Sequence, residues 1–117
     1  MKRLTSVLLL IIVILIFSEG IVSCKGRYAK DTVNAFVTRD NFKNTILALE
    51  LYKKEFGEYP NTLEELLQKK GITDRSIIED AWGREYYYVK LKNDYKIFSL
   101  GADGKPFTKD DIYPPKK

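Results

Sequence analysis

Histidine is absent from this 117-residue chain, and cysteine occurs only once, at position 24. Without histidine, the chain can form neither a Ser–His–Asp triad nor a Cys–His dyad, and the usual zinc ligand sets are excluded. A single cysteine also excludes a disulfide within the chain. Proteins without disulfides are typical of the cytosol, but the N-terminal residues of this chain predict export.

The chain also lacks a large excess of charge of either sign. It has 20 basic and 16 acidic residues, a net charge of +4, and the two signs are interspersed. This pattern indicates a solvated surface and not a nucleic-acid-binding patch. The length leaves room for one small domain, which would bury only a modest core.

The N-terminal residues have the three parts of a secretory signal. Two basic residues at positions 2–3 precede an apolar run over residues 8–17, and small residues follow up to Cys24. A basic start, an apolar stretch and a small-residue cleavage site define such a signal. The alternative is an uncleaved anchor helix over residues 4–24, since a bilayer-spanning helix needs about 20 predominantly apolar residues.

The end of this signal resembles a bacterial lipobox. Residues 21–24 read Ile-Val-Ser-Cys, an aliphatic residue, a second aliphatic residue, a small residue and then cysteine. In lipoproteins with this motif the cysteine is acylated and becomes the new N-terminus, and two or more acyl chains anchor a protein stably. We therefore expect a signal peptide over residues 1–23, lipidation at Cys24 and a lipidated tether over residues 24–30. The alternative is that Cys24 merely ends a hydrophobic helix.

The body, residues 31–117, is predicted to begin with a long helix. Asp31 and Thr32 can cap its first turn, and Gly57 can end it, so we expect a helix over about residues 32–56. Several apolar positions recur at helical spacing and predict a face directed at the core. They are Val33, Phe36, Val37, Phe42, Ile46, Leu49 and Phe56.

The rest of the body predicts a short helix and a β-hairpin. Residues 62–65 form a capping box before a short helix that Gly71 ends. Residues 72–81 show no clear period and predict a loop. Aromatic-rich segments at 84–91 and 95–100 predict two antiparallel strands. The predicted fold class is α+β, a long N-terminal helix packed on a small antiparallel sheet.

Three carboxylates cluster in the loop that follows the second predicted strand: Asp103, Asp110 and Asp111. Calcium binds about six to eight oxygen ligands and tolerates irregular geometry, which such a loop can supply. The spacing is not that of an EF-hand. On the residues alone, the favoured interpretation is a plain turn at Asp103, with Asp110 or Asp111 capping a short terminal helix.

Three segments in a fixed order resemble one known family. Residues 51–67 contain L-Y-x(4)-G-x-Y-P-x-T-x-x-x-L, and residues 80–88 look like D-P-W-G-x-x-Y-x-Y with alanine in place of proline. Residues 95–112 look like Y-x-I-x-S-x-G-A-D-G followed by D-D-I. Together they resemble the C-terminal domain of type II secretion system protein G, the major pseudopilin.

The resemblance implies a fold, a calcium site and a cellular role. That family forms a periplasmic pseudopilus, and its globular domain is a long helix on a small antiparallel sheet with a Ca²⁺ site in the C-terminal loop. By resemblance, Asp103 and Asp110 would be side-chain ligands and Asp111 a third, with the backbone carbonyls of Leu100 and Thr108. The resemblance gives three further aromatic residues packing roles, namely Tyr59, Trp82 and Tyr86.

The N-terminus departs from the family pattern. Pseudopilins carry a short basic leader that ends in glycine, and a glutamate lies early in the apolar helix that follows. Here no glycine precedes Leu4, no glutamate lies early in the apolar run, and the leader ends at Cys24. A cleaved and lipidated chain would lack the helix through which pseudopilins polymerise.

We therefore expect a non-catalytic, membrane-anchored pseudopilin-like lipoprotein that acts in protein secretion or as an interaction module. The alternative is a true pseudopilus subunit that polymerises through an uncleaved apolar helix. A hydrolase with paired carboxylates is not favoured, because the clustered acids share one small loop. The expected partners are a membrane, through the lipid anchor, and secretion or pilus components, with no nucleic acid or small-molecule substrate. The residue after the cysteine is Lys25 and not the aspartate that typically retains lipoproteins at the inner membrane, so we expect the periplasmic face of the outer membrane. The alternative is a single pass through the inner membrane.

Overall fold

A computed structural model describes the backbone of residues 2–116 and the side chains of residues 26–116. The chain divides into two compact units, Met1–Thr32 and Val33–Lys117. The predicted lipidation at Cys24 and the signal peptide lie outside the described side chains. Within residues 26–116, whose side chains are described, no helical segment is both long and apolar enough to cross a membrane.

Helix α1 comprises Lys2–Phe56 and begins well before the predicted cap. The hydroxyl of Thr32 donates a hydrogen bond to the Tyr28 carbonyl, 2.9 Å away and four residues earlier. Threonine makes this bond inside a helix, not at its start. The predicted N-cap at Asp31 and Thr32 is therefore wrong, and residues 25–30, expected to form a tether, are helical too.

The predicted end of α1 is confirmed. The last helical residue is Phe56, and the Gly57 amide donates to the Lys53 carbonyl at 2.8 Å. Gly57 has φ of 82°, a left-handed conformation that glycine adopts without steric cost. Lys53 and Lys54 lie in the last turn, where their charge is favourable beside the negative end of the helix dipole.

The buried face of α1 differs in part from the predicted one. Phe42 and Leu49 are fully buried, as expected, and Ile46 is half-buried. The remaining buried positions of this face are Thr38, Thr45 and Tyr52. The other predicted core positions are exposed, namely Val33, Phe36, Val37 and Phe56.

The two threonines belong to the buried face because their hydroxyls have backbone partners. The Thr38 hydroxyl accepts a hydrogen bond from the Ala81 amide at 3.0 Å, and that of Thr45 donates to the Ile77 carbonyl at 2.7 Å. A buried hydroxyl is tolerated when it is hydrogen-bonded. The pair fastens the loop that precedes the hairpin to α1.

Helix α2 comprises Leu63–Lys70 and lies where the sequence predicts it. The Thr62 hydroxyl caps it by accepting from the Glu65 amide at 3.1 Å, and Gly71 ends it with φ of 65°. The reciprocal half of the capping box is shifted by one residue, because Glu65 accepts from the amide of Asn61. The helix is amphipathic, and its buried residues are Leu63, Leu66 and Leu67.

Strands β1, Tyr87–Lys90, and β2, Tyr95–Phe98, form the predicted antiparallel hairpin. Tyr87 pairs with Phe98, and Lys90 pairs with Tyr95. Both strands are shorter than predicted. Glu85, before β1, forms an isolated bridge with Glu79, and Ser99, after β2, forms one with Ile112. A two-stranded hairpin is marginal alone, so packing against the helices stabilises it.

One core joins α1, α2 and the hairpin. The rings of Phe42 and Tyr86 stack with centroids 4.6 Å apart, and those of Tyr59 and Tyr95 meet edge to face at 4.7 Å. Trp82 is partly buried against the same cluster. The α+β architecture, a long helix packed on a small antiparallel sheet, is thus confirmed.

Candidate functional site: the C-terminal acidic loop

The acidic loop, residues 100–111, is closed at its base. Ser99 and Ile112 exchange two backbone hydrogen bonds, each of 2.9 Å. Near this base, a Cβ atom added to Gly101 would lie 1.9 Å from the Asp110 carbonyl oxygen. Because no side chain fits there, glycine lets the two arms of the loop approach each other.

Asp103 organises the first turn of the acidic loop. Its carboxylate accepts a hydrogen bond from the Lys105 amide at 3.0 Å. This bond, with a smaller contribution from the Thr108 hydroxyl, lowers the pKa of Asp103 below its ordinary value. Asp103 is exposed and therefore accessible to a dissolved ion.

Asp111 has one oxygen engaged and one without a partner. Its Oδ2 accepts from the Thr108 amide at 3.1 Å, while its Oδ1 is buried and has no hydrogen bond within the described residues. A buried carboxylate oxygen without a partner is costly. A hard cation is one group that such an oxygen could bind.

Asp110 and Thr108 complete the second arm of the loop. The Asp110 amide donates to the Thr108 hydroxyl at 3.3 Å, and the Asp111 amide donates to the Thr108 carbonyl at 3.2 Å. The Thr108 carbonyl, a predicted ligand, thus already accepts one bond. A carbonyl oxygen has a second lone pair that stays available.

The structure places all five predicted ligand positions in or at the edge of one closed loop, but it does not gather three carboxylates. Over residues 26–116, no group of three or more histidine, cysteine, aspartate or glutamate side chains is arranged to hold a metal ion. The unpartnered Oδ1 of Asp111 is nevertheless the kind of oxygen ligand that calcium prefers.

Arg84 reaches into the acidic loop and was not predicted as a site residue. Its Nη2 donates to the carbonyls of Gly101 and Ala102, the latter at 3.3 Å. A Cβ atom added to Gly104 would lie 2.7 Å from Nη1, so the guanidinium packs directly on this glycine. Only the glycines of the loop hint at such a close approach in the sequence, and they do not identify the partner.

Asp80 fixes both Arg84 and the base of the acidic loop. Its Oδ1 accepts from the amides of Trp82 and Arg84, each at 3.0 Å. Its Oδ2 accepts from the Ser99 hydroxyl at 2.7 Å, and that hydroxyl accepts from the Gly101 amide at 3.1 Å. Asp80 is 5% exposed, so the network is shielded from water. This carboxylate therefore serves the architecture of the site.

Phe107 lies on the tip of the loop and packs on the hairpin. Its φ is 62°, and it is the one described non-glycine residue with positive φ. A left-handed backbone costs an aromatic residue on the order of 1 kcal/mol. Its ring meets that of Tyr87 at 5.5 Å, and the Lys96 ammonium lies 5.4 Å from its centroid. These contacts attach the loop tip to β1 and β2.

A long helix packed on a small antiparallel hairpin is an α+β fold that is consistent with a pseudopilin. The model of one family, "Type II secretion system (T2SS), protein G", matches residues 28–113 of this chain. The matched stretch includes α2, both strands and the acidic loop. The chain belongs to the type II secretion system protein G family.

Individual relatives carry the name "Type II secretion system core protein G". That of Pectobacterium carotovorum is 35% identical over 81 residues, which cover 56% of this chain and 52% of the relative. That of Dickeya chrysanthemi is 38% identical over 80 residues, with 55% and 52% covered. The chain thus spans about half the length of these two relatives.

The Pseudomonas aeruginosa relative matches over a longer stretch. It is 28% identical over 114 residues, which cover 84% of this chain and 80% of the relative. No solved structure gives a significant match.

Proposed function

We propose that this protein is a non-catalytic, membrane-anchored component of a type II secretion system that acts outside the cytoplasm through protein contacts. The family match over residues 28–113 is the observation that carries this proposal. The acidic loop agrees with a binding and structural role, because its carboxylates are engaged in turn and backbone hydrogen bonds.

The anchor in this proposal is lipid attached to Cys24. The sole cysteine of the chain ends a lipobox-like segment, and the family match begins four residues later, at residue 28. The second candidate is a pseudopilus subunit that keeps its apolar N-terminal residues as a helix. The helical backbone of residues 2–25 is the observation that keeps this alternative open. With a lipid anchor at Cys24, the protein would act at a membrane surface, and the proposed location is the periplasmic face of the outer membrane.

Intact mass of the protein purified from its native membrane separates the two candidates. We expect a species that begins at Cys24 and carries added acyl mass. Cys24→Ser is the matched control, and it should leave an uncleaved chain without acyl mass. An unacylated wild-type chain that retains the apolar residues would overturn the lipoprotein proposal and support the pseudopilus subunit.

The acidic loop is the proposed calcium site of this component. Asp103, Asp110 and Asp111 would hold the ion, with the carbonyls of Leu100 and Thr108. The buried Oδ1 of Asp111, which has no hydrogen-bond partner among the described residues, supports the proposal. Bound calcium would neutralise the carboxylates of the loop.

Thermal unfolding in calcium and in chelator tests this site. A ligand at a hundredfold excess over its Kd stabilises the folded state by about 2.7 kcal/mol. Each kcal/mol raises the Tm of a domain this small by about 4–8 °C. Asp103→Ala should therefore lower the Tm in calcium and remove the response to chelator.

Asp40→Ala is the control for the loss of a carboxylate, because Asp40 lies on α1 and its ion pair among the described side chains is with nearby Lys43 at 3.0 Å. This variant should keep the full response to calcium. Equal Tm values of the wild type in calcium and in chelator would exclude a calcium site in the loop.

A further inference from the structure

The guanidinium of Arg84 lies against the first arm of the acidic loop. It donates to two consecutive carbonyls, those of Gly101 and Ala102, on the arm that leads to Asp103. Hydrogen bonds from a charged donor are about twice as strong as those between neutral groups.

The position of Arg84 is itself held firmly. Asp80 accepts from the Arg84 amide at 3.0 Å, and the Asp80 amide donates to the Arg84 carbonyl at 2.8 Å. The glycine at position 104 leaves room for the guanidinium, which a Cβ atom would meet at 2.7 Å. Thus the backbone of Arg84 is fixed by Asp80, and its guanidinium packs on Gly104.

We propose that Arg84 is a built-in cation that keeps the acidic loop folded in the absence of a divalent metal. The lock consists of Arg84, the two carbonyls it binds and the glycine at 104. It requires only these contacts, so it holds whether or not the loop also takes calcium. Any calcium would then enter a loop that is already formed.

Hydrogen exchange of the loop amides in chelator tests the lock. Four amides report on the loop, because their hydrogen bonds are made to side chains at its base or within it: Gly101, Lys105, Thr108 and Asp110. We expect these amides to be protected in wild-type protein without metal. Arg84→Gln should reduce their protection at least about tenfold, since two charge-assisted bonds are lost. The amides of β1 and β2 provide the internal reference for global stability.

Two control arginine variants separate charge and geometry from general effects. Arg75→Gln removes a guanidinium whose ion pairs within the described residues are with Glu64 and Glu79, so it should leave loop protection unchanged. Arg84→Lys keeps the charge without the planar fork, and it should restore part of the protection.

Gly104→Ala tests the lock without changing Arg84, and it decides the case if Arg84→Gln loses protection throughout the chain. The new Cβ would crowd Nη1, and alanine is also strained at this φ, so the lock predicts a larger loss of loop protection from Gly104→Ala in wild type than in the Arg84→Lys background. Gly71→Ala is the matched control, because its φ of 65° is close to the 67° of Gly104 and its Cβ would meet nothing within 4 Å. It should leave the loop unchanged.

The outcomes also distinguish this lock from the calcium proposal. Calcium that restores protection in Arg84→Gln supports both, whereas a wild-type Tm that is the same in calcium and in chelator contradicts the calcium site and leaves the lock standing. Loss of loop protection in metal-free wild type, or full protection in metal-free Arg84→Gln, would overturn the lock.

Discussion

Two tyrosine hydroxyls near the start of the hairpin differ in their effect on the stability of the fold. The Tyr88 hydroxyl donates to the Pro60 carbonyl at 2.7 Å and joins the hairpin to the turn before α2. The Tyr86 hydroxyl is buried without a hydrogen-bond partner among the described residues. Burial, with a smaller contribution from the Asp80 carboxylate, raises the pKa of Tyr86 to about 12, and the nearby Thr45 hydroxyl opposes this shift without a hydrogen bond of good geometry.

Phenylalanine at these two positions should therefore have opposite consequences. Tyr88→Phe should lower the free energy of unfolding by about 1 kcal/mol, because it leaves the Pro60 carbonyl without its donor. Tyr86→Phe should be neutral or slightly stabilising, since it removes an unsatisfied polar atom. Denaturant unfolding of both variants measures the difference, and an equal cost at both positions would contradict it.

At the scale of elements, Glu65 joins α2 to α1 and to the preceding turn. Its carboxylate accepts from the Lys69 ammonium at 3.0 Å, the Tyr52 hydroxyl at 2.8 Å and the Asn61 amide at 2.9 Å. These partners, Lys69 foremost, lower the pKa of Glu65 from 4.5 to about 2. Each stabilises the ionised carboxylate in the folded state.

This lowered pKa predicts how stability depends on pH. The contribution of Glu65 is complete above the unfolded-state value of 4.5 and is lost as the pH falls toward 2. Glu65→Gln should be less stable at neutral pH and should lose less stability between these two values. Unfolding measured from pH 7 to pH 2 checks this. Glu64→Gln, at a surface ion pair with Arg75, should retain the wild-type slope.

At the scale of the molecule, the folded core belongs to the second unit. Among the side chains that the structure describes, the first buried one is Thr38, and every buried apolar residue lies at or after Phe42. The chain from Val33 onward forms a compact unit. The globular domain thus has its own core.

A fragment of residues 31–117 should consequently unfold cooperatively by itself. A fragment that begins at residue 46 lacks Thr38, Phe42 and Thr45, and it should fail to fold because the face that packs on the hairpin and its loop is truncated. Thermal unfolding followed by circular dichroism checks both fragments. A cooperative transition of the shorter one would show that α1 contributes less to the core than its burial indicates.

Local chemistry explains which elements could be predicted. Thr62 and Gly71 bound α2, and the turn at residues 92–94 separates the strands, because caps and turns depend on residues close together in sequence. The acidic loop could be predicted for the same reason, and the structure confirms that residues 100–111 form one closed segment. The start of α1 could not be predicted, because threonine occurs both at helix N-caps and inside helices. Inside a helix its hydroxyl bonds a carbonyl four residues earlier, as that of Thr32 does.

The sequence by itself determined the α+β class, the bounds of α2, the hairpin and the order of family motifs, all of which depend on patterns within a few residues. Only the tertiary structure decided which face of α1 is buried and which side chain enters the acidic loop. Thr38 meets Ala81 across 43 residues, and Arg84 meets Gly101 across 17. Such contacts leave no periodic signal, because the polar groups that they satisfy become neighbours only when the chain is folded.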